Sequence, residues 1–198
     1  MSSENRHAQR SAETRRKLVA AGRALFAEHG YAEVGTEAIV RAAGVTRGAL
    51  YHQFEDKAEL LAAVVEELET EVSRQIAEGA IARAHDPISG LLAGAEAFLR
   101  VVTTPEVRQI LLVDALPVLG WARWRAIGLR HGLGLVEAVL QGAIDAGLLR
   151  PAPVRPLAHL LLGALDEAAL YVADADDPDG AREQMLAVLG QLVEGLRA

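Results

Sequence analysis

TEAIVRAAGVTRGALYHQFEDKAEL, residues 36–60, decides the fold. Ile39 and Ala43 stand at i,i+4 and share one face of a short helix. Gly44 follows as a residue able to end that helix in the left-handed conformation. Thr46 can cap the next helix by accepting a backbone N–H on its hydroxyl, with Val45 and Leu50 placed as a hydrophobic staple around it. Helix end and helix start are so close that the two axes must cross sharply. This is the layout of a helix-turn-helix, whose second helix enters the DNA major groove. The bland alternative is a helical hairpin within an ordinary bundle. It gives no reason for this turn chemistry to precede a helix that is small at its start and polar outside: Arg47, Gly48, Ala49, Tyr51, His52, Gln53. Leu50 and Phe54, at i,i+4, anchor that helix inward.

Working outward, Asp56-Lys57-Ala58-Glu59 has the form of a capping box and opens a long helix through Leu60, Leu61, Val64, Leu68, Val72 and Ile76 to about Ala84. On the other side, Leu18, Ala21, Leu25 and Phe26 recur at helical spacing, which predicts a first helix over about Ala12–His29 closed by Gly30. Residues 1–10 are polar and predict a disordered arm carrying Arg6 and Arg10. Further on, Asp86-Pro87 and Thr104-Pro105 each place a capping residue before a proline. They predict helices over Pro87–Val102 and Pro105–Ala115. Pro117 then separates a long helix, about Val118–Ala146. After a proline-rich connector come helices over Pro156–Ala173 and Pro178–Leu196. No stretch alternates as a strand does. The expected fold is all-α, about nine helices, with a three-helix DNA-binding domain at 11–57 and a helical effector-binding and dimerisation domain at 58–198.

The net charge of −7 conceals a division. Residues 1–60 hold nine Lys/Arg against eight Asp/Glu; the remainder holds eleven against nineteen. Positive charge gathers beside the helix-turn-helix, and the acidic remainder is repelled by phosphate. With no cysteine there is no thiolate metal site and no thiol nucleophile. The six histidines are scattered, and no H-E-x-x-H, phosphate-loop or G-x-S-x-G motif occurs. These observations predict neither enzyme nor cofactor nor metal. The apolar runs near Leu157–Leu165 and Ala168–Ala175 are interrupted by Asp166 and Glu167, which predicts a soluble, cytoplasmic chain without a membrane span.

In the last two predicted helices, apolar residues surround one axis and stripe the other. Leu157, Leu161 and Leu165 with Met185, Leu189, Leu192 and Leu196 are the expected homodimer interface; a core within one chain is the competing reading. A two-fold dimer suits two half-sites about 34 Å apart in a palindromic operator on double-stranded DNA.

Together these features resemble the tetracycline-repressor (TetR) family of bacterial transcriptional regulators. The resemblance is closest over roughly residues 14–65, where Leu18-Val-Ala-Ala-Gly-Arg-Ala-Leu-Phe, Gly30-Tyr31, Thr36, Ile39, Ala43-Gly44-Val45, Gly48, Leu50-Tyr51, Phe54, Lys57 and Leu60 follow the family pattern. It implies that Thr36 caps the first motif helix and touches phosphate, that Thr46 and Arg47 begin the recognition helix, that Tyr51 and His52 meet phosphate or a base, and that Lys57 binds phosphate. Gly48 allows close backbone approach, and Arg15 and Lys17 add charge from the first helix. Gln53 departs from the family's frequent His; Arg47 can pair with guanine and Gln53 with adenine, or either can serve phosphate or solvent. Tyr51 can equally be a core-edge aromatic and His52 a solvated side chain. The resemblance further implies an unidentified small-molecule effector, with Phe98, Leu112, Trp121, Trp124, His131, Asp166, Glu167 and Tyr171 as candidate lining. Both tryptophans also fit a core or partner-facing role, and Asp166 and Glu167 also fit a buried pair. The rival function is a helical protein-interaction module without a specific operator.

Overall fold

A computed structural model describes residues 3–198, which are helical throughout apart from turns and one isolated bridge between Leu149 and Arg197. The helices are α1 (Ser3–His29), α2 (Thr36–Ala43), α3 (Arg47–Gln53), α4 (Lys57–Arg83), α5 (Pro87–Val102), α6 (Pro105–Val107), a π-helical segment π1 (Arg108–Asp114), α7 (Ala115–Leu119), α8 (Trp121–Asp145), α9 (Val154–Ala173) and α10 (Pro178–Glu194). Because α6, π1 and α7 follow without a break, the described residues form nine rods.

Four boundaries differ from expectation. Residues 3–10 are the opening turns of α1, not a disordered arm, while Met1 and Ser2 lie outside the described residues. Pro117 lies inside α7, and the break falls at Gly120, whose φ of 76 with ψ of 156 is a conformation open essentially to glycine alone. Pro117 is tolerated because it follows the wide π turns, where helical register is already shifting and its missing N–H breaks no regular ladder. Thr104 turns its hydroxyl backwards, donating to the Val101 carbonyl at 2.7 Å instead of capping the helix ahead. And α9 starts at Val154, so Pro156 occupies its first turn, where an N–H would have no helical partner. The resulting 20-residue α9, of mean hydropathy 1.2, is long and apolar enough by composition to cross a membrane, contrary to the expectation from its interrupted runs. It nevertheless carries a paired Asp166.

The chain divides into two compact units. One holds the described residues up to Leu68 together with Pro105–Trp124; the other holds Glu69–Thr104 and Arg125–Ala198. In the first, Leu18, Phe26, Ile39, Leu50, Leu60 and Ile110 are fully buried. Segment 105–124 is fastened to α1 and the turn after it by polar contacts. Arg23 donates to both carboxylate oxygens of Glu106, at 2.7 and 3.0 Å, and this holds the Glu106 carboxyl below its ordinary range. The backbone N–H of Tyr31 donates to Asp114 Oδ2 at 2.9 Å. Asp114 is 8% exposed and ends π1. Gly30, at φ 77, brings the chain round at this point, and a β-carbon there would meet the Gln109 side chain at 3.2 Å. Trp124 donates its indole N–H to the Leu111 carbonyl within π1 at 2.9 Å.

Asp114→Ala would leave the Tyr31 N–H without its acceptor. We expect a loss of about 1–3 kcal/mol in chemical denaturation, most of it recovered by Asp114→Asn, which keeps a carbonyl oxygen in place. Equal stability of Asp114→Ala and the parent chain would show that water replaces the carboxylate without cost.

In the second unit, Ile88, Leu133, Val136, Leu140, Ala143, Leu149, Ala158 and Val193 form the core. Asp86 opens α5 with a reciprocal capping box: its carboxylate accepts from the Ile88 and Ser89 N–H groups, and the Ser89 hydroxyl accepts from the Asp86 N–H at 3.0 Å.

Candidate nucleic-acid interface

The turn between α2 and α3 is built by local chemistry. Gly44 takes φ 64, its N–H reaches the Arg41 carbonyl at 3.2 Å, and the Val45 N–H reaches Val40 at 3.0 Å. This double closure satisfies the carbonyls at the end of α2. Two residues later, the Thr46 hydroxyl accepts from the Ala49 N–H at 3.2 Å and starts α3. Leu50 is fully buried and Phe54 nearly so. With those two anchors inside, α3 presents Arg47, Gly48, Tyr51 and His52 outward, all exposed. Arg47 lies 3.1 Å from Glu37 and its guanidinium 5.6 Å from the Tyr51 ring centroid. Nothing beyond Thr46 approaches the space a Gly48 β-carbon would fill, so backbone can come close to a ligand there.

Other candidate DNA residues are placed differently. Thr36 is the first residue of α2 and not its cap; Gly35 holds the cap position with extended backbone and no side chain to bond. Lys57 is turned inward. Its ammonium donates to the carbonyls of Tyr31 and Val34 at 2.8 and 2.9 Å and lies 3.9 Å from the Tyr31 ring centroid. Burial lowers its pKa, against the raising effect of the Asp114 charge. These contacts tie the α1–α2 turn to the start of α4. Gln53 turns toward α1, donating from Nε2 to the Ser11 hydroxyl at 2.8 Å, instead of presenting its amide beside Arg47. Arg15 lies over the Phe54 ring at 4.6 Å, and Lys17 pairs with Glu13 at 2.9 Å on the surface. Asp56 caps α4 through the Glu59 N–H as expected, but the Glu59 carboxylate is drawn away to Arg123, at 2.8 Å for one of its two bonds.

The eight candidate effector residues are divided between the two compact units. Leu112, Trp121 and Trp124 belong to the first compact unit, the other five to the second. Trp124 is buried with its N–H already bonded, while Trp121 is 58% exposed and packs on it at 5.4 Å between centroids. In the second unit Asp166 pairs with Arg125, a residue the sequence reading passed over, and Arg125 also donates to the His159 carbonyl at 3.3 Å. Burial raises the Asp166 carboxyl to about 6, with Arg125 pulling the other way. Phe98 and His131 are half-buried, and Glu167 and Tyr171 are exposed.

The predicted dimer stripe is divided between buried, half-buried and exposed positions. Leu189 is buried, and Leu157, Leu161 and Leu196 pack on the core of their own chain. Leu165 and Met185 are half-buried, and of the predicted set Leu192 alone is well exposed. The exposed apolar side chains of this region are Leu160 and Tyr171 on α9 and Val188 and Leu192 on α10. An axis that is apolar nearly all round gives periodicity no means of choosing which side faces out.

The residues that sequence reasoning missed are Ser11, Arg23, Glu106, Asp114 and Arg125. Only Asp114 left a legible signal, as the lone charge within the apolar run Ile110–Leu119. Among the described residues no group of three His, Asp or Glu is arranged to hold a metal ion.

Residues 18–64 match the model of bacterial regulatory proteins of the tetR family, and residues 88–196 match a tetracyclin repressor-like C-terminal domain. Along most of its length the chain is similar to the transposon Tn10 TetC protein of Escherichia coli, 26% identical over 189 residues covering 95% of this chain and 94% of that protein. It is also similar to the HTH-type transcriptional repressor AcnR of Corynebacterium glutamicum, 28% identical over 186 residues covering 92% and 91%. A crystal structure of a TetR-family transcriptional regulator from Pectobacterium atrosepticum superposes with a TM-score of 0.85 at 34% identity, covering 96% of this chain and 97% of that one.

Proposed function

The chain belongs to the tetR family of bacterial regulatory proteins, and from that membership we propose how its parts divide the work. It is a DNA-binding transcriptional regulator with a ligand-binding C-terminal domain. In our reading it is a repressor: a homodimer sets α3 of each subunit into successive major grooves of a palindromic operator, and a small-molecule effector releases it. We assign DNA reading to residues 11–57 and effector binding and dimerisation to residues 58–198, with the work done in the cytoplasm. The rival reading as a protein-interaction module without an operator is not favoured, because residues 18–64 match the family's DNA-binding segment.

The observation that carries this reading is the outward face of α3. Arg47 and Tyr51 bear on one another over a helix pinned by Thr46, Leu50 and Phe54. Such a face has its polar groups pre-positioned and its anchors already buried, so contact with a groove orders little further. In our reading Thr36 and His52 add to it, and Lys57 ties the α1–α2 turn to the start of α4. Effector contact falls in our reading to Phe98, His131 and Asp166 of the second unit, and subunit contact to the exposed Leu160, Tyr171, Val188 and Leu192.

Selection of bound sequences from a random duplex pool should return one palindrome. Arg47→Ala should then weaken operator binding by about ten- to a hundredfold and relax preference at one base pair per half-site, with the melting temperature unchanged. A heterogeneous pool, or an Arg47→Ala chain that binds as the parent does, would count against sequence reading by α3.

A further inference from the structure

The family's DNA-binding segment is matched from Leu18, yet α1 begins at Ser3. The added stretch is about four helical turns. From residue 6 to 17 the described side chains have almost no part in the core: Arg6, Arg10, Arg16 and Lys17 are exposed, and only Ser11 and Thr14 among them are half-buried. A helix without an apolar face gains little from packing, so its position must come from specific contacts. Among the described residues two such contacts reach α3 or the residue that ends it. Gln53 donates to Ser11 at 2.8 Å, and the Arg15 guanidinium lies over the Phe54 ring at 4.6 Å. Ser11 and Arg15 stand at i,i+4, so one face of the extension is held toward the recognition helix.

At 100° per residue, Arg6, Arg10 and Lys17 then share a single flank of α1, with Arg16 about 100° round the axis from them. Lys17 is paired with Glu13, whose carboxyl this pairing holds below its ordinary range. We propose that the N-terminal extension of α1 is a second DNA-contacting surface, in which Arg6 and Arg10 bind backbone phosphates beside the groove read by α3. The proposal rests on the DNA-binding reading above and adds to it a phosphate rail that lies outside the segment matched to the family. Its occupant is duplex DNA because the flank is cationic and the helix that carries it is fixed to α3 through the Ser11 and Arg15 contacts with Gln53 and Phe54. Phosphate contacts of this kind set register and raise affinity without reading sequence.

The test is the salt dependence of binding by the full chain, measured on the selected operator and on a random duplex of equal length. Arg6→Ala with Arg10→Ala should lower the slope of log affinity against log salt by about 1.8 per subunit, since each phosphate contact contributes about 0.9. Affinity should fall by the same factor on both duplexes, and the parent's advantage should shrink about tenfold or more between 50 and 200 mM salt. Arg16→Ala, a change of like charge off that flank, should move the slope by less than half as much per residue. Alanine favours an exposed helix, so folding is retained. Unchanged affinity and slope in the double variant, with a parent chain that binds its operator, would overturn the rail alone. A loss confined to the operator would mean that the arginines read bases, and an equal effect from Arg16→Ala would mean that only net charge matters; either overturns it. A parent chain that prefers no duplex would overturn the DNA-binding reading itself, and the rail with it.

Discussion

Glutamate at both Leu160 and Leu192 is expected to leave a folded monomer whose operator affinity has fallen by on the order of 10²–10⁴-fold. Leu160 is 72% exposed and Leu192 55%, so neither substitution enters the core of its own chain. With Tyr171 and Val188 they form the apolar surface of α9 and α10 that a single subunit leaves uncovered. Four carboxylates brought together across a two-fold axis would oppose association by desolvation and by like charge. The affinity loss follows from linkage: a dimer that has seated one recognition helix holds the second at high effective concentration over its half-site, and a monomer has no such advantage. Sedimentation at micromolar concentration reads the mass, and titration of operator duplex reads the affinity. A variant that sediments as a dimer and binds as the parent does would move the subunit contact to another surface. The same charge at Leu189 would instead be forced into the core, where that side chain is 6% exposed.

Arg125→Ala is expected to destabilise the chain by about 2–3 kcal/mol at pH 7.5 and by distinctly less near pH 5. Arg125 and Asp166 are 17% and 18% exposed, so removing the guanidinium strands a mostly buried carboxylate. The sign of the pH effect follows from the direction of the shift. The Asp166 carboxyl is raised to about 6 from its ordinary 3.8, chiefly by burial. Between those values the folded chain holds a proton that the unfolded chain has released, so the contribution of Asp166 to stability grows as pH falls through about 6 and levels off below about 4. Without Arg125 to offset burial, the folded carboxyl rises further and the slope extends to higher pH. Urea denaturation at several pH values measures this, and Asp166→Asn added to Arg125→Ala should return much of the loss at pH 7.5. A pH-independent cost of Arg125→Ala would mean that packing, and not charge, is what the residue supplies.

The helix-turn-helix was legible because every signal in it is local. Gly44 at φ 64, the Thr46 cap and the buried Leu50 and Phe54 are each set by residues within a turn or two of one another. Features that depend on distant partners were not. Nothing near Lys57 in sequence says that the Tyr31 and Val34 carbonyls will take its ammonium, or that Gln53 will find Ser11. The π turns of Arg108–Asp114 leave no mark in composition, and they moved the expected break from Pro117 to Gly120. Sequence charge identified Asp166 as unusual but not Arg125 as its counterpart, because the two lie on different helices. The disordered arm was misjudged for the same reason: α1 extends to Ser3, and the contacts that orient it come from α3 and Phe54.

The unit that holds α3 is assembled from two stretches far apart in the chain, and this bears on how such genes can recombine. A single crossover near residue 68 between related regulators would carry Arg23 and Tyr31 into the hybrid and leave Glu106 and Asp114 behind. The incoming segment around 105–124 would then need its own acceptors for the guanidinium and the amide. Exchange of operator specificity by shuffling whole heads is therefore restricted to parents that agree at these positions, or to events with two crossovers. Substitution on the outer face of α3 meets no such restriction, which makes point mutation the more open route by which this lineage could acquire new target sites.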